Sequence, residues 1–158
     1  MKASNLKSIF IVDDDPFFQS MLSQSVFNEM GIRAEVYNNG EACIEQLHKM
    51  PEVILLDHDL NSELNGIEVL KAIKSFSKNI DVIFLSGQEE LAVAVNSLKY
   101  GAFNYVAKNN EGLKNINQQL LKIAQKKKTA ITLKQNYVVL SKVITSISIL
   151  NLLVNYYA

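Results

Sequence analysis

Three short segments of this chain contain runs of four apolar residues, and these runs constrain the fold more than any other feature. The segments are SIFIV (8–12), EVILLD (52–57) and DVIFLS (81–86). A strand with one solvated face alternates apolar and polar residues, whereas a strand buried on both faces does not. The runs therefore predict central strands of a parallel sheet that helices cover on both sides.

The segments between these strands have the apolar spacing of helices, three or four residues apart. Two further strands are expected in IRAEVY (32–37) and FNYVAK (103–108), and each strand is followed by a helical segment. The five β–α units predict an α/β fold with a doubly wound, five-stranded parallel sheet. The helix residues expected to face inward include Phe17, Val26, Leu47, Met50, Ile73, Phe76, Ile116 and Leu120.

Polar side chains stand where these strands end. They are, in strand order, Asp13, Asp14 and Asp15, then Asp57, Ser86 and Lys108. Binding sites in open parallel sheets form at the carboxyl ends of the strands. If the first and third strands are neighbours, the carboxylates crowd together and need a divalent cation, and oxygen ligands suit Mg²⁺. A carboxylate beside Mg²⁺, a hydroxyl and an amine can attack phosphorus and hold an acyl phosphate, which makes Asp57 the candidate nucleophile.

Five motifs at these positions resemble the receiver domain of bacterial two-component response regulators, of the chemotaxis-regulator type. The motifs are IVDDDP, VILLD, NGIEVL, FLSG and YGAFNYVAK, within residues 5–128. The resemblance implies a flavodoxin-like sheet of order 2-1-3-4-5. It also implies a phosphoprotein that accepts a phosphoryl group from a histidine kinase or phosphotransfer protein, and that is not an enzyme acting on other substrates.

By this resemblance, Asp57 is the phosphoacceptor. Asp14 is expected to bind Mg²⁺ directly and Asp13 through water. The backbone carbonyl of Asp59 is the expected third protein ligand of the cation.

The remaining expected roles concern the response to phosphorylation. Lys108 binds the phosphoryl group, Ser86 supplies the hydroxyl that moves toward it, and Tyr105 is the aromatic side chain that follows. An aromatic residue in a strand is also often only a core residue, and this alternative stays open for Tyr105.

Three positions depart from the usual pattern of the family. Asn61 stands where a proline usually follows the acceptor aspartate, and Gly66 lies nine residues after Asp57 instead of eight. Asn109 follows Lys108 in place of a proline. Because a cis bond at a residue other than proline costs about 2.5–4 kcal/mol, we expect a trans bond there.

The composition of the chain bears on its partners and on its cellular compartment. The numbers of Lys+Arg and Asp+Glu residues are equal, at 16 each, and give no electrostatic argument for nucleic acid as a partner of this chain. The single cysteine, Cys43, cannot form an internal disulfide, and the first fifteen residues lack the apolar run of a signal peptide. We therefore expect a cytoplasmic protein.

Two other functions remain open at this point. The segment LLDHDLN also resembles the start of haloacid-dehalogenase-like phosphatases, in which the first Asp is the nucleophile and the second the general acid. That motif usually lies on the first strand of its fold, and the alternative leaves Asp13 and Asp14 without a role. The third possibility is a receiver-like docking module that is not phosphorylated.

Residues 129–158 lie beyond the expected domain and predict an additional helix. Leu140, Val143, Ile147, Leu150, Val154 and Tyr157 recur at coiled-coil spacing. We expect this stripe to form a homodimer. A membrane tail behind the basic run at 126–128 and a truncated linker toward an output domain are the two alternatives.

Overall fold

The computed structural model describes residues 6–87, 91–109 and 111–157, apart from the side chains of Leu153, Val154 and Tyr157. Strands and helices alternate along the chain. The strands are β1 (Ile9–Val12), β2 (Glu35–Tyr37), β3 (Val53–Asp57), β4 (Asp81–Ser86) and β5 (Asn104–Ala107). The helices are α1 (Pro16–Met30), α2 (Gly40–Glu45), α3 (Gly66–Phe76), α4 (Leu91–Lys99) and α5 (Gly112–Tyr157), and a short 3-10 turn, Leu47–Lys49, follows α2.

All strand pairs are parallel, and the sheet order is β2-β1-β3-β4-β5. This confirms the predicted fold and strand order. Every residue of β1, β3 and β4 is buried, as the continuous apolar runs predicted. Alternate residues of the strands enter two separate cores, because successive side chains point to opposite faces of a sheet. Ile11, Leu55 and Leu85 pack with α1 and α5, whereas Phe10, Leu56 and Phe84 pack with α2 and α3.

Most of the expected helix residues are buried, but three are not. Phe17 is 71% exposed, Met50 54% and Phe76 51%, so the predictions that they face inward were wrong. The neighbouring Phe18 packs on the core in place of Phe17. Met50 adopts a left-handed conformation, φ 55°, that ends the 3-10 turn and directs its side chain to solvent.

The expected C-terminal helix is present as a continuation of α5. Helix α5 contains 46 residues without a break. The chain consists of two compact units, and the boundary between them lies between Ala124 and Gln125. In the second unit, Leu140, Val143, Ile147 and Leu150 are each about half exposed, at 47–61%. Within the described residues, no helix is both long and apolar enough to cross a membrane.

Candidate functional site

The sheet brings the first two acidic positions together because β1 and β3 are neighbours. Val12 pairs with Leu56, so Asp13 and Asp57 leave adjacent strands at the same level. Asp13 is fully buried and Asp57 is 3% exposed. Asp14 completes the group, and ligand oxygens of the three carboxylates all lie within 4.8 Å of one another. The expectation that β1 and β3 place their carboxylates in one crevice is thus confirmed.

Lys108 enters this group from the end of β5. Its Nζ lies 2.7 Å from Asp13 Oδ2 and 2.9 Å from Asp57 Oδ2. Its backbone N–H donates to the Ser86 carbonyl at 2.8 Å, which fixes the base of the side chain. The ammonium also lies 4.5 Å from the centre of the Phe18 ring, within range of a cation–π interaction. One lysine therefore bridges two buried carboxylates.

The electrostatics of the group follow from burial. Burial raises the pKa of Asp57 to about 6, although the hydrogen bond and charge of Lys108 act to lower it. The pKa of Asp13 is also raised, again mainly by burial. Burial would lower the pKa of Lys108, but its contacts with Asp13 and Asp57 outweigh this effect and the pKa is raised. One ammonium thus only partly compensates the carboxylates, which suits a site that takes an additional cation.

The donor set fits Mg²⁺. Asp13, Asp14 and Asp57 supply hard oxygen ligands at close quarters. Asp57 Oδ1 is buried and makes no hydrogen bond to any residue that the structure describes, so it is available as a ligand or as a nucleophile. The side chain of Asp59 is 68% exposed and takes no part in this group. The role of its backbone carbonyl stays a prediction.

Ser86 lies on β4, the strand next to that of Asp57, and Tyr105 lies on β5, one strand further away. Asp57 pairs with Leu85, and Ser86 is the next residue of β4 and is 1% exposed. Tyr105 pairs with Phe84 and packs, partly buried, against the core on the α3 side of the sheet. Ser86 and Tyr105 therefore lie on neighbouring strands, with Tyr105 two residues further from the strand end than Ser86. Whether Tyr105 moves with Ser86 stays a prediction.

Three residues that support the site were not among the predicted ones. Gln19, on α1, donates its side-chain amide to the Asp13 backbone carbonyl and, at 2.9 Å, to Asn38 Oδ1. Asn61, on the loop after β3, donates to Asp14 Oδ2. A Cβ at Gly66 would overlap the backbone carbonyl of Asp57, so only glycine lets α3 begin this close to β3. The glycine was visible in the sequence as a motif position, but the two amides carry no sequence signal that distinguishes them from surface residues.

Two loops depart from the usual pattern of the family: the one after β5, where Asn109 replaces a proline, and the one after β3, which has an additional residue. No described peptide bond is cis, so the bond between Lys108 and Asn109 is trans, as expected. The β3–α3 loop, with its additional residue, is held by its neighbours. The Leu64 N–H donates to Glu41 Oε1 at 2.9 Å, and the Gly66 N–H donates to the His58 carbonyl at 2.9 Å.

Residues 9–125, which are most of the chain, match the response regulator receiver domain family. The chain belongs to that family. The match confirms the resemblance drawn from the five motifs, and with it a receiver domain of a two-component system whose acidic pocket contains Asp13, Asp14 and Asp57. It favours the receiver interpretation over the haloacid-dehalogenase-like alternative.

The curated relatives include regulatory proteins that are much longer than this chain. The transcriptional regulatory protein ZraR of Klebsiella oxytoca is 35% identical over 101 residues, which are 63% of this chain and 22% of the relative. The regulatory protein AtoC of Escherichia coli K12 is 34% identical over 104 residues, 65% of this chain and 22% of the relative. This chain thus spans about a fifth of the length of these relatives.

Solved structures share the fold. The receiver domain of the Francisella response regulator 1452 superposes with a TM-score of 0.67 at 24% identity, covering 78% of this chain and 99% of that one. The BeF3-activated DrrB receiver domain gives 0.68 at 21% identity, covering 76% and 98%.

Proposed function

We propose that this chain is a phosphorylation-switched signalling protein that accepts a phosphoryl group on Asp57 from a histidine kinase or phosphotransfer protein. The observation that carries the proposal is the buried Asp57 at the end of β3, with Oδ2 held by Lys108 and Oδ1 without a hydrogen-bond partner among the described residues. Membership of the receiver family, typically of phosphoacceptors, supports the same reaction.

The chemistry needs an oriented carboxylate and compensation for negative charge. Lys108 holds Asp57 Oδ2, so the other oxygen, Oδ1, forms the bond to phosphorus. The P–N bond of the donor phosphohistidine breaks, its electron pair returns to that ring nitrogen, and the imidazole leaves neutral because the other ring nitrogen already carries a proton. Lys108 then binds a phosphoryl oxygen. Asp13, Asp14, Asp57 and the Asp59 carbonyl would hold Mg²⁺, which supplies positive charge to the phosphoryl oxygens when bound.

The switch follows from the position of Ser86 beside Asp57. We infer that its hydroxyl moves to bind the phosphoryl group and that Tyr105 turns into the space it leaves. The surface altered by this movement is the one formed by α4, β5 and α5. The protein would then act through partners that recognise this surface.

The experiment is phosphorylation by acetyl phosphate in Mg²⁺, followed by intact-protein mass spectrometry. The wild type should gain one phosphoryl group, and Asp57→Asn should gain none. Glu63→Gln, which alters an exposed carboxylate of the neighbouring loop, should behave as wild type. Equal labelling of Asp57→Asn and wild type would refute the assignment. A wild type that folds and binds Mg²⁺ but gains no label would indicate the docking-module alternative.

We further propose that the C-terminal part of α5 pairs with the same segment of a second copy. Most of the stability of a helix in a protein comes from packing its apolar face, and the apolar stripe of this segment is about half exposed, so it needs a cover. The full chain should be a dimer by light scattering at micromolar concentration. The double substitution of Ile147 and Leu150 by aspartate should give a monomer, whereas Thr145→Asp, on the opposite face, should not. A monomeric wild type would exclude the dimer.

A further inference from the structure

Asn61 is the one described side chain outside the acidic group itself for which a bond to Asp14 is observed. Its Nδ2 donates to Asp14 Oδ2 at 2.5 Å, across a sequence separation of 47 residues. Asp14 is only partly buried, so solvent alone would leave its carboxylate free to rotate. The hydrogen bond from the Asn61 amide restricts that rotation.

The loop that carries Asn61 is anchored on both sides. Leu60, the residue before it, is 6% exposed and packs in the core on the α3 side of the sheet. After it, the Ser62 hydroxyl donates to the Leu64 carbonyl, and the Leu64 N–H donates to Glu41 on α2. Asn65 then caps α3 in a reciprocal capping box with Glu68. The position of the Asn61 amide is therefore set by the fold, although its side chain is exposed.

In the orientation that Asn61 holds, Asp14 faces its partners. Its ligand oxygen lies within 4.8 Å of those of Asp13 and Asp57, a spacing at which the three groups could hold one metal ion. A donor that fixes a metal-binding carboxylate improves affinity because the ligand needs no ordering when the ion arrives. A carboxylate with two oxygens can accept the amide on one and present the other to the ion.

We propose that Asn61 is a positioning residue for cation binding, acting through Asp14. This inference rests on the proposed phosphoacceptor site and adds a residue to it. The Asn61 amide is neutral, and its hydrogen bond to Asp14 does not depend on a phosphoryl group. Its effect on cation binding is therefore expected in the unphosphorylated protein. Asn61 raises the affinity for Mg²⁺ before any phosphodonor binds.

The experiment measures Mg²⁺ affinity of the full chain by isothermal titration calorimetry, without a phosphodonor. Asn61→Ala should weaken binding about three- to tenfold, the effect of one lost hydrogen bond to a ligating carboxylate at a solvent-accessible position. Glu63→Gln is the matched control, since it alters an exposed side chain of the same loop and removes neither the donor to Asp14 nor the hydrogen bonds that anchor the loop, and it should bind nearly as wild type.

A double-mutant cycle separates positioning from a general loop effect. In an Asp14→Ala background, which removes the side chain that accepts from Asn61, Asn61→Ala should cause no further loss, because the positioned ligand is gone. Equal or tighter binding by Asn61→Ala than by wild type, or an equal loss in Glu63→Gln, would overturn the inference. A wild type that binds no Mg²⁺ would instead overturn the proposed site, so the two failures are distinguishable.

Discussion

Replacing Asp57 with asparagine should stabilise the protein in the absence of Mg²⁺. Asp57 is 3% exposed, and burial raises its pKa from 3.8 to about 6. Each pKa unit corresponds to about 1.4 kcal/mol, so keeping this carboxylate ionised in the folded protein at pH 7.5 costs about 3 kcal/mol. Asparagine has nearly the same shape and does not ionise. This pKa shift already includes the favourable interaction with Lys108, and asparagine must still bury a polar amide, so we expect a net gain of about 1–3 kcal/mol in the free energy of unfolding.

The sign of the pH dependence follows from the same shift. A carboxyl group whose folded pKa is raised holds its proton more tightly in the folded state. Its contribution therefore favours folding most below pH 3.8, declines as the pH rises through about 6, and is constant above that. Asp57→Asn lacks this term. The stability difference between the variant and the wild type should grow between about pH 4 and pH 7 and then level off.

Urea unfolding followed by circular dichroism, in EDTA from pH 4.5 to 8, measures both quantities. Glu63→Gln, an exposed carboxyl change, is the control and should differ little from wild type. Adding Mg²⁺ at about 100 times its Kd should stabilise the wild type by about 2.7 kcal/mol and the variant less, because the variant lacks one ligand. A variant less stable than wild type in EDTA, or a stability difference that does not vary with pH, would show that the ionised Asp57 carboxylate does not destabilise the folded protein.

Three further outcomes are expected. Lys108→Met should lower the free energy of unfolding by about 3–5 kcal/mol in EDTA at pH 7.5, because Asp13 and Asp57 are left buried without a cation, and Mg²⁺ should restore part of the loss. Gly66→Ala should lower it by about 1–3 kcal/mol, since its methyl group would overlap the Asp57 carbonyl, whereas Gly87→Ala, with no atom within 4 Å of an added Cβ, should change it by less than about 0.5 kcal/mol. The dimer should dissociate less at high salt than at low salt in sedimentation experiments, since all the charges of its pairing segments are positive.

Much of the fold was predictable because burial on two faces leaves a direct mark on the sequence. The runs at β1, β3 and β4 are apolar at nearly every position, and no helical or half-exposed strand pattern fits them as well. The facing of single residues was less predictable. Phe17 and Phe18 are adjacent, and helical spacing alone does not decide which turns inward. The Asp15 cap decides it: its Oδ1 accepts from both of their N–H groups and fixes the first turn.

The chemical core of the site was also predictable, because Asp13, Asp57 and Lys108 stand at the carboxyl ends of parallel strands, which lie along one edge of the sheet. Its supporting residues were not. Asn61 lies 47 residues from Asp14, and the bond between them depends on the path of a loop that carries no periodic pattern. Gln19 reads as an ordinary polar residue of an amphipathic helix, yet it is 9% exposed and holds the backbone of Asp13. Such contacts arise from tertiary geometry that a local pattern does not encode.

The charges in the C-terminal part of α5 indicate how two copies of this segment would pair. Every charged side chain after Glu111 is a lysine, so two copies of this segment have no carboxylates with which to form the interhelical ion pairs that often select a coiled-coil partner. Pairing must then come from the apolar stripe alone and act against repulsion among the lysines. An antiparallel arrangement would set the basic run at 126–128 against the nearly uncharged end of the partner helix, and so would reduce that repulsion. The charge pattern therefore favours antiparallel over parallel pairing, a distinction that the spacing of Leu140, Ile147 and their neighbours cannot make.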